Sequence, residues 1–92
     1  MLSKYLLSYL LTATRGGMTR GKILESLRKK PQNMHQLSKS LNLDYKTIQH
    51  HIDVLIDNGV ISAVKKGSYG ALYHWSIDME ENVKLFREMV NE

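Results

Sequence analysis

His35, His50, His51 and His74 have the widest chemical range in this chain, because imidazole can bind a metal, move a proton or donate to a nucleic-acid base. Their spacing decides among these uses. Two ligands on one helical face are best placed four positions apart, whereas the adjacent His50 and His51 diverge by about 100°. The chain has no cysteine, so it offers neither a thiolate for zinc nor a disulfide framework. No metal and no cofactor are expected. Catalysis finds no better footing: carboxylates do not cluster beside a histidine, no phosphate-cradling glycine motif occurs, and 92 residues leave little depth for a pocket. The expected reading is not an enzyme.

A different chemistry emerges from LNLDYKTIQHHIDVLIDNGVI, residues 41–61. Read as a helix from Tyr45 to about Asn58 and placed at about 100° per residue, Ile52 and Leu55 fall within about 40° of Ile48, and Lys46, His50, Asp53 and Asp57 go to the far side. Gln49 stands on the flank, and His51 lies at the edge of the apolar stripe as a hydrogen-bonded structural residue. Tyr45, Lys46, Gln49 and His50 are then exposed along the first two turns, the part of a recognition helix that meets base edges. Gln49 can pair bidentately with adenine, Lys46 can reach guanine acceptors or a phosphate, and His50 can donate to either. Tyr45 and Thr47 suit backbone oxygens. Asp53 and Asp57 would repel phosphate, so only the amino-terminal end of this helix can enter a groove. Any amphipathic helix has a polar face, so the neighbouring elements must choose between the readings.

Those elements follow from caps and period. Leu2, Tyr5, Leu6, Tyr9 and Leu10 draw an apolar stripe on a first helix ending near Arg15, where Gly16-Gly17 disfavours continuation. Thr19 can cap a second helix with Ile23, Leu24 and Leu27 inside, which the basic run Arg28-Lys29-Lys30 and Pro31 close. Asn33 and Gln36 form a capping box for a short third helix; Asn42 ends it and Asp44 caps the next, giving a helix-turn-helix. After Gly59 the period changes to two. Val60–Val64 and Ala71–Ile77 read as a hairpin, with Tyr73, Trp75 and Ile77 on its inner face and Lys65, Lys66 and Tyr69 in the intervening loop. A basic ribbon of this kind can touch phosphates beside the helix. Met79–Val90 continues as a last helix with Val83, Phe86 and Val90 on one stripe.

Length predicts a single domain over 1–92: an N-terminal pairing helix (1–15), a winged-helix core (18–77) and a C-terminal helix (78–92). The fold class expected is α+β and mostly helical, a winged helix-turn-helix with a two-stranded wing and extra terminal helices. Net charge is +4, unevenly spread: residues 1–77 hold eleven Lys/Arg against Glu25, Asp44, Asp53 and Asp57, and residues 78–92 hold five acids against Lys84 and Arg87. Such a basic body suits a polyanion. The opening MLSKYLLSYLLTA mimics a short secretion signal, but Ser3, Lys4 and Ser8 interrupt it and it is far below the roughly 20 residues that span a bilayer. A helix in a cytoplasmic protein without a membrane partner is the expectation. A small winged helix buries only part of its terminal helices, so Leu6, Leu7, Leu10, Leu11, Val83, Phe86 and Val90 could join two copies, with packing inside one chain as the alternative.

The runs ATRGGMTRGKILESL (13–27), LSKSLNLDYKTIQHHIDVLIDNGVI (37–61) and YGALYHWS (69–76) resemble the archaeal winged-helix regulators of the arsenical-resistance-repressor (ArsR-like) class. The resemblance implies a homodimeric, sequence-specific double-stranded-DNA-binding protein, usually a repressor, with residues 44–50 over the major groove and 65–69 as the wing. Metal-sensing members of that class carry cysteines in the recognition helix, or acids and histidines in the last one. Here residues 79–92 contain no histidine, so metal sensing is not carried over, and the effector stays unknown. A winged helix turned protein-docking module is the competing expectation.

Overall fold

Several helix starts in this chain are set by side chains that satisfy the free amides of the first turn. In the computed structural model, which describes residues 2–68 and 70–90, Ser3 Oγ accepts from the Leu6 amide at 3.0 Å and opens α1 (Lys4–Thr12). The capping box of α3 (Met34–Leu41) is complete: the Gln36 amide donates to Asn33 Oδ1 at 2.8 Å and the Asn33 amide to Gln36 Oε1 at 2.9 Å. Asn42 ends that helix in the left-handed region at φ 55°, and Asp44 opens α4 (Tyr45–Asp57). Gly59, at φ 73°, turns the chain into the hairpin, a conformation glycine adopts without a Cβ penalty.

β1 (Ile61–Val64) pairs antiparallel with β2 (Leu72–Trp75), Ile61 opposite Trp75 and Val64 opposite Leu72. Gln32 extends this ribbon from the other edge of β2: its amide donates to the Tyr73 carbonyl at 3.1 Å and its carbonyl accepts from the Tyr73 amide at 2.8 Å. The Gln32 side chain is buried and anchored on Ser26. The connection between α2 (Gly17–Lys29) and α3 is thereby bound to the wing.

Three expectations are corrected. α1 stops at Thr12, short of Arg15, and α2 begins at Gly17, so Thr19 lies within the helix and is not its cap. The second strand ends at Trp75; Ser76 caps a short helix, α5 (Ile77–Glu80), which places Ile77 at 77% exposure instead of on the inner face. The last helix is broken, α5 being followed by α6 (Val83–Val90). Among the described residues no helix is long and apolar enough to cross a membrane.

One core unites these elements. Leu7, Leu10 and Leu11 of α1 pack with Ile23, Leu24 and Leu27 of α2, Leu37 of α3 and the Ile48–Ile52–Leu55 ridge of α4. Trp75 joins the carboxyl-terminal part to it. Its indole Nε1 donates to the Leu24 carbonyl at 2.9 Å, and its ring meets Phe86 edge to face at 5.2 Å between centroids. α6 is thus held to the winged-helix core by an aromatic contact.

Gly17 is placed by the tightest approach in the chain: a Cβ there would lie 2.3 Å from the Leu11 carbonyl oxygen, which is backbone and cannot rotate away. Gly17→Ala is expected to force α1 and α2 apart and cost about 1–3 kcal/mol, as overpacking does. Gly70→Ala has open space within 4 Å and is expected to stay within about 0.5 kcal/mol of the parent. Urea midpoints of the two variants against the parent check both values.

Candidate nucleic-acid interface

The buried ridge decides what α4 can offer. Ile48, Ile52 and Leu55 are enclosed almost completely, and the same rotation leaves Tyr45, Lys46, Gln49 and His50 exposed over the first two turns. All four stand where helical periodicity puts them. Thr47 does not stand free: its hydroxyl donates to Asp44 Oδ1, inside the cap that also receives the Thr47 amide at 3.2 Å. Its proton is therefore already engaged, which argues against the phosphate-donor role expected of it. The same hydrogen bonds, side chain first, hold the Asp44 carboxyl below its ordinary range.

The two flanks of α4 have different neighbours. On one side lies β2, where burial raises the Tyr73 hydroxyl pKa and the nearby Tyr45 and Asp53 raise it further. β1 packs directly on α4, and Tyr73 of β2 stands within electrostatic reach of Tyr45. Its turn is tight: Lys65 sits at φ 58° and Gly67 at φ 86°, and both the amide and the hydroxyl of Ser68 donate to the Lys65 carbonyl, at 3.1 and 2.8 Å. Lys65 and Lys66 are exposed on it. Tyr69, expected to join them, falls outside the described residues.

On the other flank His51 is buried, 7% exposed, with its Nδ1 3.2 Å from Arg20 Nη1. Arg20 also donates from Nε to the Leu10 carbonyl at 2.9 Å and from Nη2 to the Thr14 hydroxyl. Desolvation foremost, then the Arg20 and His50 charges, push the His51 imidazole below its ordinary pKa. Desolvation likewise lowers Arg20, against a smaller opposing effect from Tyr9. Sequence reasoning assigned Arg20 no role. A signal was present, since Arg20 precedes Ile23, Leu24 and Leu27 by three, four and seven positions and so belongs to the buried stripe of α2.

Also missed was a shallow recess beside α3, lined by Lys30, Gln32, His35, Gln36, Lys39 and Ser40. Lys30 and Lys39 are exposed. His35 and Lys39, four apart, share one helical face, which was the available clue. Among the described residues no group of three or more histidines and carboxylates could hold a metal ion.

The expected pairing surface needs correction. Leu7, Leu10, Leu11 and Phe86 are buried by the chain's own packing, Leu6 and Val83 are partly buried, and Val90 is exposed. Outside the polar side of Lys4, Ser8 and Thr12, apolar residues occupy most of the circumference of α1, so its period alone could not choose between the tyrosine and leucine sides as the inner one. The tyrosines of the expected stripe point outward, Tyr5 at 83% and Tyr9 at 59% exposure.

Known proteins place this geometry in context. The sequence profile of the winged helix-turn-helix family matches residues 20–72. No curated protein matches the chain in sequence. Among solved structures, it is similar to apo wild-type MarR of E. coli (TM-score 0.73, 18% identity, covering 97% of this chain and 68% of that one). It is similar also to the transcriptional regulator HlyU of Vibrio vulnificus (0.70, 19%, 92% and 85%) and to reduced YodB, a transcriptional regulator of B. subtilis (0.73, 16%, 97% and 88%). At these identities the likeness is one of fold.

The cap at Asp44 carries a checkable consequence for the outer edge of α4. Asp44→Ala is expected to fray the first turn, so that the amides of Thr47 and Ile48 exchange faster while those of Ile52 and Leu55 keep their protection. Because the folded carboxyl is depressed, its contribution is present above the ordinary carboxylate range and is lost as pH falls through the folded value. Amide exchange at neutral and acid pH reads both effects.

Proposed function

The chain belongs to the winged helix-turn-helix family, whose profile covers more than half of it, and from that premise we propose that it is a sequence-specific, double-stranded-DNA-binding transcription regulator. One observation supports this above the others: the amino-terminal half of α4 exposes Lys46, Gln49 and His50 on the edge opposite a fully buried ridge, beside a wing bearing Lys65 and Lys66. In this reading Lys46, Gln49 and His50 choose the sequence. Tyr45, Lys65, Lys66 and Tyr69 hold the backbone, and Thr47 serves by fixing the cap. Lys30, at the end of α2, and Lys39 of α3 add phosphate contacts.

The finer reading is a cytoplasmic homodimer of the ArsR-like class that represses by covering a promoter. The motifs of residues 37–61 support the class. The pairing reading is supported by the apolar groups that the terminal helices and α2 leave exposed, Tyr5, Tyr9, Met18 and Val90, with Leu6 and Val83 beside them. Such a dimer sets two α4 helices against half-sites about one DNA turn apart. The same exposed groups favour, as the second reading, docking to another protein within an assembly.

Selection of bound sites from random duplex DNA by the purified chain tests the proposal, and an enriched, pseudo-palindromic sequence is the expected result. Failure to enrich any sequence, with no salt-dependent binding of duplex, would leave the docking reading. Lys65→Ala combined with Lys66→Ala is expected to lower the slope of log affinity against log salt by about 1.8, since each released phosphate contact contributes about 0.9. Gln49→Ala is expected to cost about 1–3 kcal/mol at one base pair and relax selection there, with the salt slope unchanged. Titrations at several salt concentrations measure both.

A further inference from the structure

Arg20 and His51 meet where three parts of the chain converge. Arg20 comes from α2, His51 from α4, and the remaining acceptors, the Leu10 carbonyl and the Thr14 hydroxyl, belong to α1 and the segment after it. A guanidinium can only donate, and it keeps its charge. His51 Nδ1 must therefore offer its lone pair, which makes the imidazole neutral with its proton on Nε2. Protonating His51 would turn that acceptor into a donor and set two cations 3.2 Å apart in a buried place.

The ring has nowhere to go. At Gly16 a Cβ would lie 2.5 Å from His51 Cε1 and 2.6 Å from Arg20 Nη1, so the backbone of the α1–α2 connection presses directly on both side chains. The charges that act on His51 are Arg20 from α2 and His50 from its own helix, whose ring centroid is 5.0 Å away. Tyr9 of α1 acts on Arg20. Asp53 and Tyr45 act instead on Tyr73, across the opposite flank of α4.

We propose that Arg20 and His51 form a proton-sensitive interlock that fixes α4 against the end of α1, so that protonation of His51 loosens α4 and weakens its hold on duplex DNA. Both are positioning residues, acting on DNA through the helix they hold. The DNA half of the statement rests on the regulator reading above; the interlock itself does not. The sign follows from linkage. His51 is depressed in the fold, so the bonded neutral form is fully populated above its ordinary value of about 6.5, and the interlock loses stability as pH falls below that value.

The affinity for the selected duplex pool is measured at about pH 7.5 and about pH 5.5, at one salt concentration, for the unmodified chain and for His51→Gln. Every other group is common to the two proteins and cancels in the ratio. The unmodified chain is expected to lose about tenfold more affinity on acidification than the variant. Equal pH dependence in the two would overturn the proposal. Nitrogen NMR of the histidine rings in the unmodified chain guards against a variant that fails to fold. An unprotonated His51 Nδ1 at neutral pH, with the ring titrating below its ordinary value, supports the interlock, and a protonated Nδ1 there overturns it. If no duplex is bound at any pH, the regulator reading fails and the ring spectra alone decide the interlock.

Discussion

Ile48, Ile52 and Leu55 are enclosed to 1% exposure or less, and that enclosure is the constraint on which the outer surface of α4 depends. Each such side chain contributes about 1.5–3 kcal/mol by leaving water. Turning the helix by one residue would expose the ridge and bury Lys46 or Gln49 in its place, against a total stability of only about 5–15 kcal/mol for a domain of this kind. The rotation of α4 is consequently fixed by its apolar side. The polar edge has no energetic duty in the fold, which leaves its residue types free to answer to a partner.

Rotation about the axis is one freedom; tilt against the neighbouring helices is another, and a single ridge controls it less well. Here the flank contacts matter. Tyr73 and the wing border one side, and Arg20 with His51 border the other. Burying a guanidinium is costly, and its acceptors at this site are neutral. The position of one acceptor explains how the cost is offset. Leu10 lies in the last turn of α1, where carbonyls lack intrahelical partners and the helix dipole favours a cation, so Arg20 satisfies the end of one helix while reaching the side of another. Gly16 allows the approach, since a Cβ there would fall on both Arg20 and His51, and Gly17 lets α2 lie against the Leu11 backbone.

Much of this was legible in the residues themselves. Asn33 with Gln36, Asp44, Asn42 and Gly59 are local signals whose chemistry acts within a few positions, and the caps and turns formed where those residues stand. The ridge of α4 was equally plain because its period is unambiguous. What failed was everything settled by distant contact. Gly16-Gly17 reads as a stop in isolation, yet its reason for being glycine lies 35 positions away at His51. Ile77 completes an alternating pattern with Tyr73 and Trp75, but the Ser76 cap ends the strand first. In α1, apolar residues fill most of the circumference, and the packing of α2 and α6 determines that Leu7, Leu10 and Leu11 turn inward and Tyr5 and Tyr9 outward. Of the candidate site, exposure was readable and Thr47's engagement with Asp44 was not, since an N-cap residue's second hydrogen bond depends on the rotamers of both side chains.

The inward turn of α1 bears on assembly. A helix whose apolar face was reserved for a second copy would leave the monomer without part of its core, and folding would then be inseparable from association. Here Leu7, Leu10, Leu11 and Phe86 are already buried within one chain, and Phe86 reaches the winged-helix core through Trp75. Two copies of this chain would have only the residual surface around Tyr5, Tyr9, Met18 and Val90 to pair with, and any energy so gained would be additional to that of folding. The orientation of α4 is set by contacts inside one chain. A second copy could fix the distance between two α4 helices without being needed to position either.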